Sequence, residues 1–447
     1  MNFDSLTKLT KKIHPTRNES NIIFPNFNVD GFYDFYSQVI ILNSKNEDDV
    51  RRLKEATESG EKLTIYQEII KILPLMHHEY AHWIDHCSTL WGMQFLYELW
   101  DCYTTQLREN GKNGEENEYY KKINLLDKFV KIKFPFYYST KGKSIDNKRW
   151  NYEYSVGKLF DKTGRPSNYP IFFSRFKDSA GQLIARQPIS LSSLLETSAT
   201  YQELALSGAL LESLDVVEKR IESDFLKTKF ESKLYSPYFT EYTVCAHVLA
   251  NSFTKSEVVD TYRLASVLSR LVLNFPNESF KTINSNLVYK DINEFSGAFK
   301  ISFNNKDRGA LFFYLINFIG ENYDHQNLEP EKITDIIKDA LSKICPDENE
   351  LEDKSNAEFS YWAKSLKELD TPYLNYLSDI GKFNHSKLKF YGKSEYIILD
   401  LKVPGVVLGD DTYFCPYGNK ELNVGERYMD LSSFGDHLES FKKACIV

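Results

Sequence analysis

The sequence predicts a mainly α protein of the α+β kind, with a small sheet near its N-terminus and a small β element near its C-terminus. Three observations lead there. Apolar residues recur at helical spacing through most of the chain between Thr64 and Leu377. Two runs rich in β-branched and aromatic residues, Phe35 to Leu42 and Glu395 to Phe414, stand near opposite ends. Only 20 Gly and 14 Pro punctuate 447 residues, and with 42% hydrophobic and 26% charged residues the chain has ordinary globular composition. Disordered, collagen-like and low-complexity classes are thereby excluded.

Taken in order, the first 20 residues are polar and basic and read as an arm or a short helix. Phe35 to Leu42 reads as a strand bounded by the turn signal Asn43-Ser44-Lys45-Asn46. Glu47 to Glu58 reads as a short charged helix that Ser59-Gly60 ends. Helical text resumes at Thr64. Pro74 marks either a new helix or a kink, because proline has no N–H to give and is tolerated best in a first turn. The helix after it should run to about Tyr103. Arg108 to Tyr119, polar and glycine-containing, reads as a surface loop, and Tyr138 to Tyr169, basic and aromatic, as part of an irregular insertion. Helical periodicity returns at Ser190 to Phe225, Tyr238 to Asn251, Ser256 to Phe275, Arg308 to Gly320, Pro330 to Ile344 and Phe359 to Leu377. Glu395 to Val403 and Val406 to Phe414 read as strands, with turns at Gly405 and Gly409-Asp410-Asp411. The organisation expected is a domain over residues 1–275 with an insertion at about 104–189, a helical domain over 276–385, and a small β-containing element over 386–447.

Several function classes recede on composition alone. A net charge of −8 gives no broad electrostatic footprint for nucleic acid. Six scattered cysteines without a CxxC pair read as buried thiols in a reducing compartment. The N-terminus lacks a basic region followed by an apolar one, so a cytoplasmic location is expected. The longest apolar stretch, Ala310 to Ile319, is about half of the ~20 residues that cross a bilayer, so no membrane partner is expected.

Chemistry concentrates in one place. Four of the nine histidines, His77, His78, His82 and His86, fall within ten residues, and His78-Glu79-Tyr80-Ala81-His82 is an HExxH motif. Residues four apart on a helix stand one above the other, so both imidazoles can reach one metal ion while Glu79 is turned toward metal-bound water. On helical steps Met76, Tyr80, Trp83, Ile84, Cys87, Leu90 and Trp91 share an apolar face, and His78, His82, Asp85 and Thr89 share the opposite one. The bland reading of that second face is a solvated surface. His86 is eight positions beyond His78, about 12 Å along the axis and too far for the same tetrahedral site, so it reads as a supporting or surface residue. A third ligand is sought downstream, in Ser193 to Glu203. Glu196 is preferred, with Ala199 one turn on as a small residue that lets two helices approach. Glu203 is a rival ligand, and Ser193-x-x-Glu196 can also be a capping box that merely satisfies a helix start. His247, within Cys245 to Leu249, reads as a core histidine.

At these residues the chain resembles the zincin metallopeptidases, of the gluzincin type, in which an HExxH helix is followed by a glutamate ligand on a later helix, often as E-x-x-A. The resemblance covers His78 to His82 and Glu196 to Ala199. It implies a zincin-like helical catalytic core, a zinc cofactor held by His78, His82 and Glu196, Glu79 as general base, and a protein or peptide substrate. The interval from His82 to Glu196 is 114 residues, longer than in compact members. Thr200 stands where a thermolysin-like protein has an aspartate supporting a histidine ligand, and Asp85 is the candidate to supply that support instead. The metzincin pattern is absent, because Asp85 and Ser88 replace its glycine and last histidine. No one of 29 tyrosines is singled out to stabilise an oxyanion. The contrasting reading is a non-catalytic helical interaction protein whose metal site is structural or missing.

Overall fold

A computed structural model describes residues 9–10, 30–109, 116–129, 134, 138–142, 150–161, 163–252, 258–285, 295–323, 330–388, 390–391, 396, 398–417 and 424–444. The elements are β1 (Leu9–Thr10), β2 (Phe32–Asp34), β3 (Val39–Leu42), α1 (Glu47–Ser59), α2 (Lys62–Ser88), α3 (Leu90–Glu109), α4 (Glu116–Phe129), β4 (Thr140–Lys141), β5 (Asn151–Phe160), β6 (Pro166–Lys177), β7 (Leu183–Pro188), α5 (Leu191–Leu211), α6 (Val216–Leu234), α7 (Thr240–Ser252), α8 (Val258–Leu273), α9 (Ser296–Asn304), α10 (Arg308–Asn322), α11 (Pro330–Ile344), α12 (Leu351–Glu368), α13 (Pro372–Lys387), β8 (Val406–Leu408), β9 (Tyr413–Phe414) and α14 (Val424–Ala444). The protein is mainly helical with two small sheets, the α+β class anticipated. Among the described residues no helix is long and apolar enough to cross a membrane.

The first sheet runs β1-β9-β8-β3-β2, so the N-terminal and C-terminal strands belong to one sheet. β3 and β8 pair in parallel, Ile40 with Val406 and Leu42 with Leu408. Both are wholly apolar and buried on both faces, as parallel strands usually are. The turn between β2 and β3 is held by Asp34, whose carboxylate accepts from the Tyr36 and Ser37 amides, and it closes with Gln38 in the left-handed region at φ 56°. The second sheet, β4-β7-β6-β5, is antiparallel and occupies the region expected to be irregular. Its signal was a two-residue period: Tyr152, Tyr154 and Val156 pack on the core while the residues between them face outward.

Around these sheets the helices share a continuous apolar core running from Tyr33 to Leu438. α2 packs along α5, α5 packs against α7 and α8, and α13 closes over α2. α2 runs unbroken through Pro74. The helix expected to reach Tyr103 stops at Thr89 instead, where the backbone turns extended. Thr89 Oγ1 donates to the Asp85 carbonyl and accepts from the Gly92 amide, so one hydroxyl ends α2 and starts α3. Gly92 is required there, because a Cβ would stand 2.0 Å from the His86 carbonyl oxygen.

Other boundaries move for local reasons. Ser190 to Phe225 is two helices, with Asp215 capping the second by accepting from the Val217 and Glu218 amides. Phe359 to Leu377 is divided by Asp370, at φ 54°, followed by Thr371 as cap and Pro372 in the first turn. Residues 398–400 form a single 3₁₀ turn, not a strand. α14 had no counterpart in the sequence reading. Of the polar N-terminal arm only β1 is described, and residues 110–115 of the expected surface loop lie outside the described residues.

Candidate metal centre

α2 and α5 build the site. From Met76 to Ser88 every residue of α2 is buried, so the face carrying His78, His82 and Asp85 is packed against protein and is not a solvated surface. α5 starts with a reciprocal capping box between Ser190 and Ser193, three residues earlier than Ser193-x-x-Glu196. That leaves the Glu196 side chain available one turn in. The small Ala81 and Ala199, both fully buried, suit the close packing of these helices.

The structure brings His78, His82 and Glu196 together: one ligand atom from each lies within 4.8 Å of the others. Glu196 Oε2 is 3.3 Å from His78 Nε2 and 3.6 Å from His82 Nε2. Ligand atoms on a tetrahedral zinc at about 2.1 Å stand about 3.4 Å apart, and the two separations bracket that edge. Glu196 Oε2 is fully buried and has no well-formed hydrogen bond among the described residues; what it faces is the pair of imidazole nitrogens. Burial would raise this carboxyl, but the two imidazoles outweigh it and hold it down at about 2. An ionised acceptor between two imidazoles is a donor set suited to a divalent cation, so the residues fit zinc.

Glu203 takes a different post. Its Oε2 is 3.8 Å from His78 Nδ1, on the far side of that ring from Glu196, and its Oε1 accepts from Lys233 Nζ at 3.3 Å. Burial acts to raise Glu203, and Lys233 with His78 brings it below the usual carboxylate range. Thr200 is buried without a carboxylate to offer, so the acidic partner of His78 sits seven residues after Glu196. Asp85 is fully buried and pairs with Arg270 Nε at 3.6 Å, while Arg270 also donates to Ser198 and covers the Tyr396 ring at 4.3 Å. Burial raises Asp85, opposed by Arg270, Ser198 and then His82.

Three other described histidines, His86, His247 and His77, are held by packing and hydrogen bonds away from this cluster. His86 is not at the surface: it lies in an aromatic pocket, its Nδ1 hydrogen-bonded to the Tyr33 hydroxyl at 2.8 Å and its ring near Phe35 and Phe95. His247 donates through Nε2 to the Leu234 carbonyl, 2.8 Å away, and stacks on Trp150. His77 is hydrogen-bonded to Tyr417 at 3.0 Å.

A cleft of about 1010 Å³ opens onto the site. His78, Glu79, Glu203 and Tyr242 line it, with Pro74 of α2 and Phe225 of α6 farther out. Glu79 is buried, and burial raises its carboxyl against the pull of His78 and His82. Tyr242, from α7, has its ring 6.2 Å from that of His78. Burial, reinforced by Glu196, Glu241, Glu79 and Glu203, raises its hydroxyl well above the ordinary value. Tyr242, Lys233 and Arg270 are the site residues that sequence reasoning missed, since only the packing of α6, α7 and α8 on α5 brings them in. Comparison with protein-family models, with curated proteins and with solved structures finds no match for this chain.

Proposed function

We propose that this protein is a zinc-dependent metallopeptidase that hydrolyses a peptide bond, with His78, His82 and Glu196 as metal ligands and Glu79 as general base. The observation that carries the proposal is the placement of Glu196 Oε2 against both imidazole Nε2 atoms, beside a cleft that also presents Glu79. A zinc ion so held would polarise the scissile carbonyl and bring the pKa of its water toward ~7.

Glu79 takes a proton from the attacking water and passes it to the leaving amine, a contribution on the order of 10² to 10⁴ in rate. Its raised carboxyl suits both halves of that task. Tyr242 keeps its proton and can donate a hydrogen bond to the oxygen that gains charge. Glu203 faces His78 from behind and favours the ring orientation that directs Nε2 toward Glu196.

The test has two readouts. The purified chain should hold one zinc per molecule by mass spectrometry, lost in His78→Ala and His82→Ala. Glu79→Gln should keep that zinc and lose turnover of a peptide library by at least ~10². Unchanged peptidase activity in Glu79→Gln would overturn the mechanism, and retained zinc without any peptidase activity in the parent chain would favour a structural metal site.

A further inference from the structure

We infer that the outer face of α6 is an exosite that takes an apolar segment of an extended polypeptide substrate, next to the cleft; this rests on the peptidase reading above. Four of the fourteen large apolar side chains exposed among the described residues sit on this one helix: Val216 at 85%, Val217 at 69%, Ile221 at 51% and Phe225 at 68% exposure. The helix does not need them for its own packing. Its inner face is anchored by Phe230, which is buried with Tyr201, Leu204, Ala246 and Tyr262. Val217, Ile221 and Phe225 follow one another at four-residue spacing, within about 80° around the helix axis, and so form a stripe.

The stripe runs into the candidate site. Phe225 is at once its last member and part of the cleft lining, and Leu226 beside it also lines the cleft. From Val217 to Phe225 the stripe is about 12 Å long, the reach of about four residues of extended chain. A polypeptide leaving the metal centre past Phe225 therefore meets apolar surface beyond the residues that flank the cleaved bond.

Other occupants fit less well. Four side chains on one helix offer far less than the ~800 Å² per partner of a stable dimer. The stripe is bordered by Glu218, Glu222 and Asp224 as well as Lys219, Arg220, Lys227 and Lys229, a mixed fringe and not the predominantly cationic one that anionic lipid selects. Mixed charge around an apolar line suits a polypeptide with apolar side chains and a polar backbone.

The experiment uses the zinc-loaded full chain and the double variant Val217→Glu/Ile221→Glu, whose side chains are exposed and make no part of the metal centre. Two substrates are compared, a reduced and alkylated unfolded protein and a fluorogenic peptide of about six residues. The double variant should lose about tenfold in kcat/KM on the unfolded protein through KM, with the short peptide and the zinc content unchanged. A fluorescent apolar 20-residue peptide should bind Glu79→Gln about tenfold more tightly than Glu79→Gln carrying the two α6 changes. Equal loss on both substrates, or no loss on either, overturns the exosite. So does a dimer in sedimentation equilibrium, or vesicle binding by the parent chain, that the double variant abolishes. If no substrate is cleaved by the parent chain but the 20-residue peptide still binds in an α6-dependent way, the surface stands and the peptidase reading fails.

Discussion

Replacing Glu203 by glutamine tests whether this residue orients His78 electrostatically. The carboxylate stands 3.8 Å from His78 Nδ1, too long for a direct hydrogen bond but well within Coulombic reach. At an effective dielectric of about 20, a charge at that distance interacts with a protonated imidazole by at most about 4 kcal/mol. Partners behind a ligating histidine typically change metal affinity 10- to 100-fold, about 1.4 to 2.8 kcal/mol, which lies under that ceiling. Glu203→Gln, which keeps the shape and removes the charge, should therefore weaken zinc binding 10- to 100-fold. Lys233→Met provides the opposite sign. Lys233 holds the other oxygen of Glu203 at 3.3 Å and draws on its charge, so removing it should leave zinc affinity unchanged or tighten it a few-fold. Competition with a fluorescent chelator measures both, with circular dichroism to show that each variant is folded. A folded Glu203→Gln within twofold of the parent, or a Lys233→Met that binds zinc more weakly, would refute the reasoning.

Zinc at about 1,000 times its Kd should stabilise the chain by about 4 kcal/mol, which for 447 residues is a rise of about 4 °C in melting temperature that calorimetry reads and that His82→Ala abolishes. Gly92→Ala should destabilise by about 3 kcal/mol in denaturant titration, because its Cβ would meet the His86 carbonyl at 2.0 Å and only backbone movement relieves it. Burial lowers His247 from 6.5 to about 4, so the unfolded chain binds a proton more readily and stability falls as pH drops from about 6.5 to 4. The contribution is about 3 kcal/mol, and the stability of the parent relative to His247→Gln should decline by about that amount between pH 7 and pH 4.

The sequence carried the helices and the HExxH pattern because both are local. Four-residue spacing on α2 is a property of the helix alone, and Glu196 could be singled out because a carboxylate on another helix is what two such histidines lack. What stayed hidden was set by distant packing. Whether Glu196 or Glu203 met the imidazoles depended on how α5 slides along α2, and the answer is that Glu196 faces both Nε2 atoms while Glu203 stands behind one ring. The burial of His86 depended on Tyr33, Phe35 and Phe95 closing around it. The hairpin of β5 and β6 is faint in the sequence because the inward side chains of β5 are only partly buried and its basic residues blur the alternation, and the stop at Thr89 because Gly92 and a single hydroxyl overrule an apolar stripe that continues past it.

The parallel pairing of β3 with β8 has a consequence for biosynthesis. Ile40 finds its neighbour in Val406, and the Tyr80 hydroxyl of α2 donates to the Pro404 carbonyl at 2.9 Å. A ribosome must therefore deliver the chain through Val406 before the helix bearing His78 and His82 gains this support. Closing so wide a loop is slow, so α2 gains this brace only late in folding.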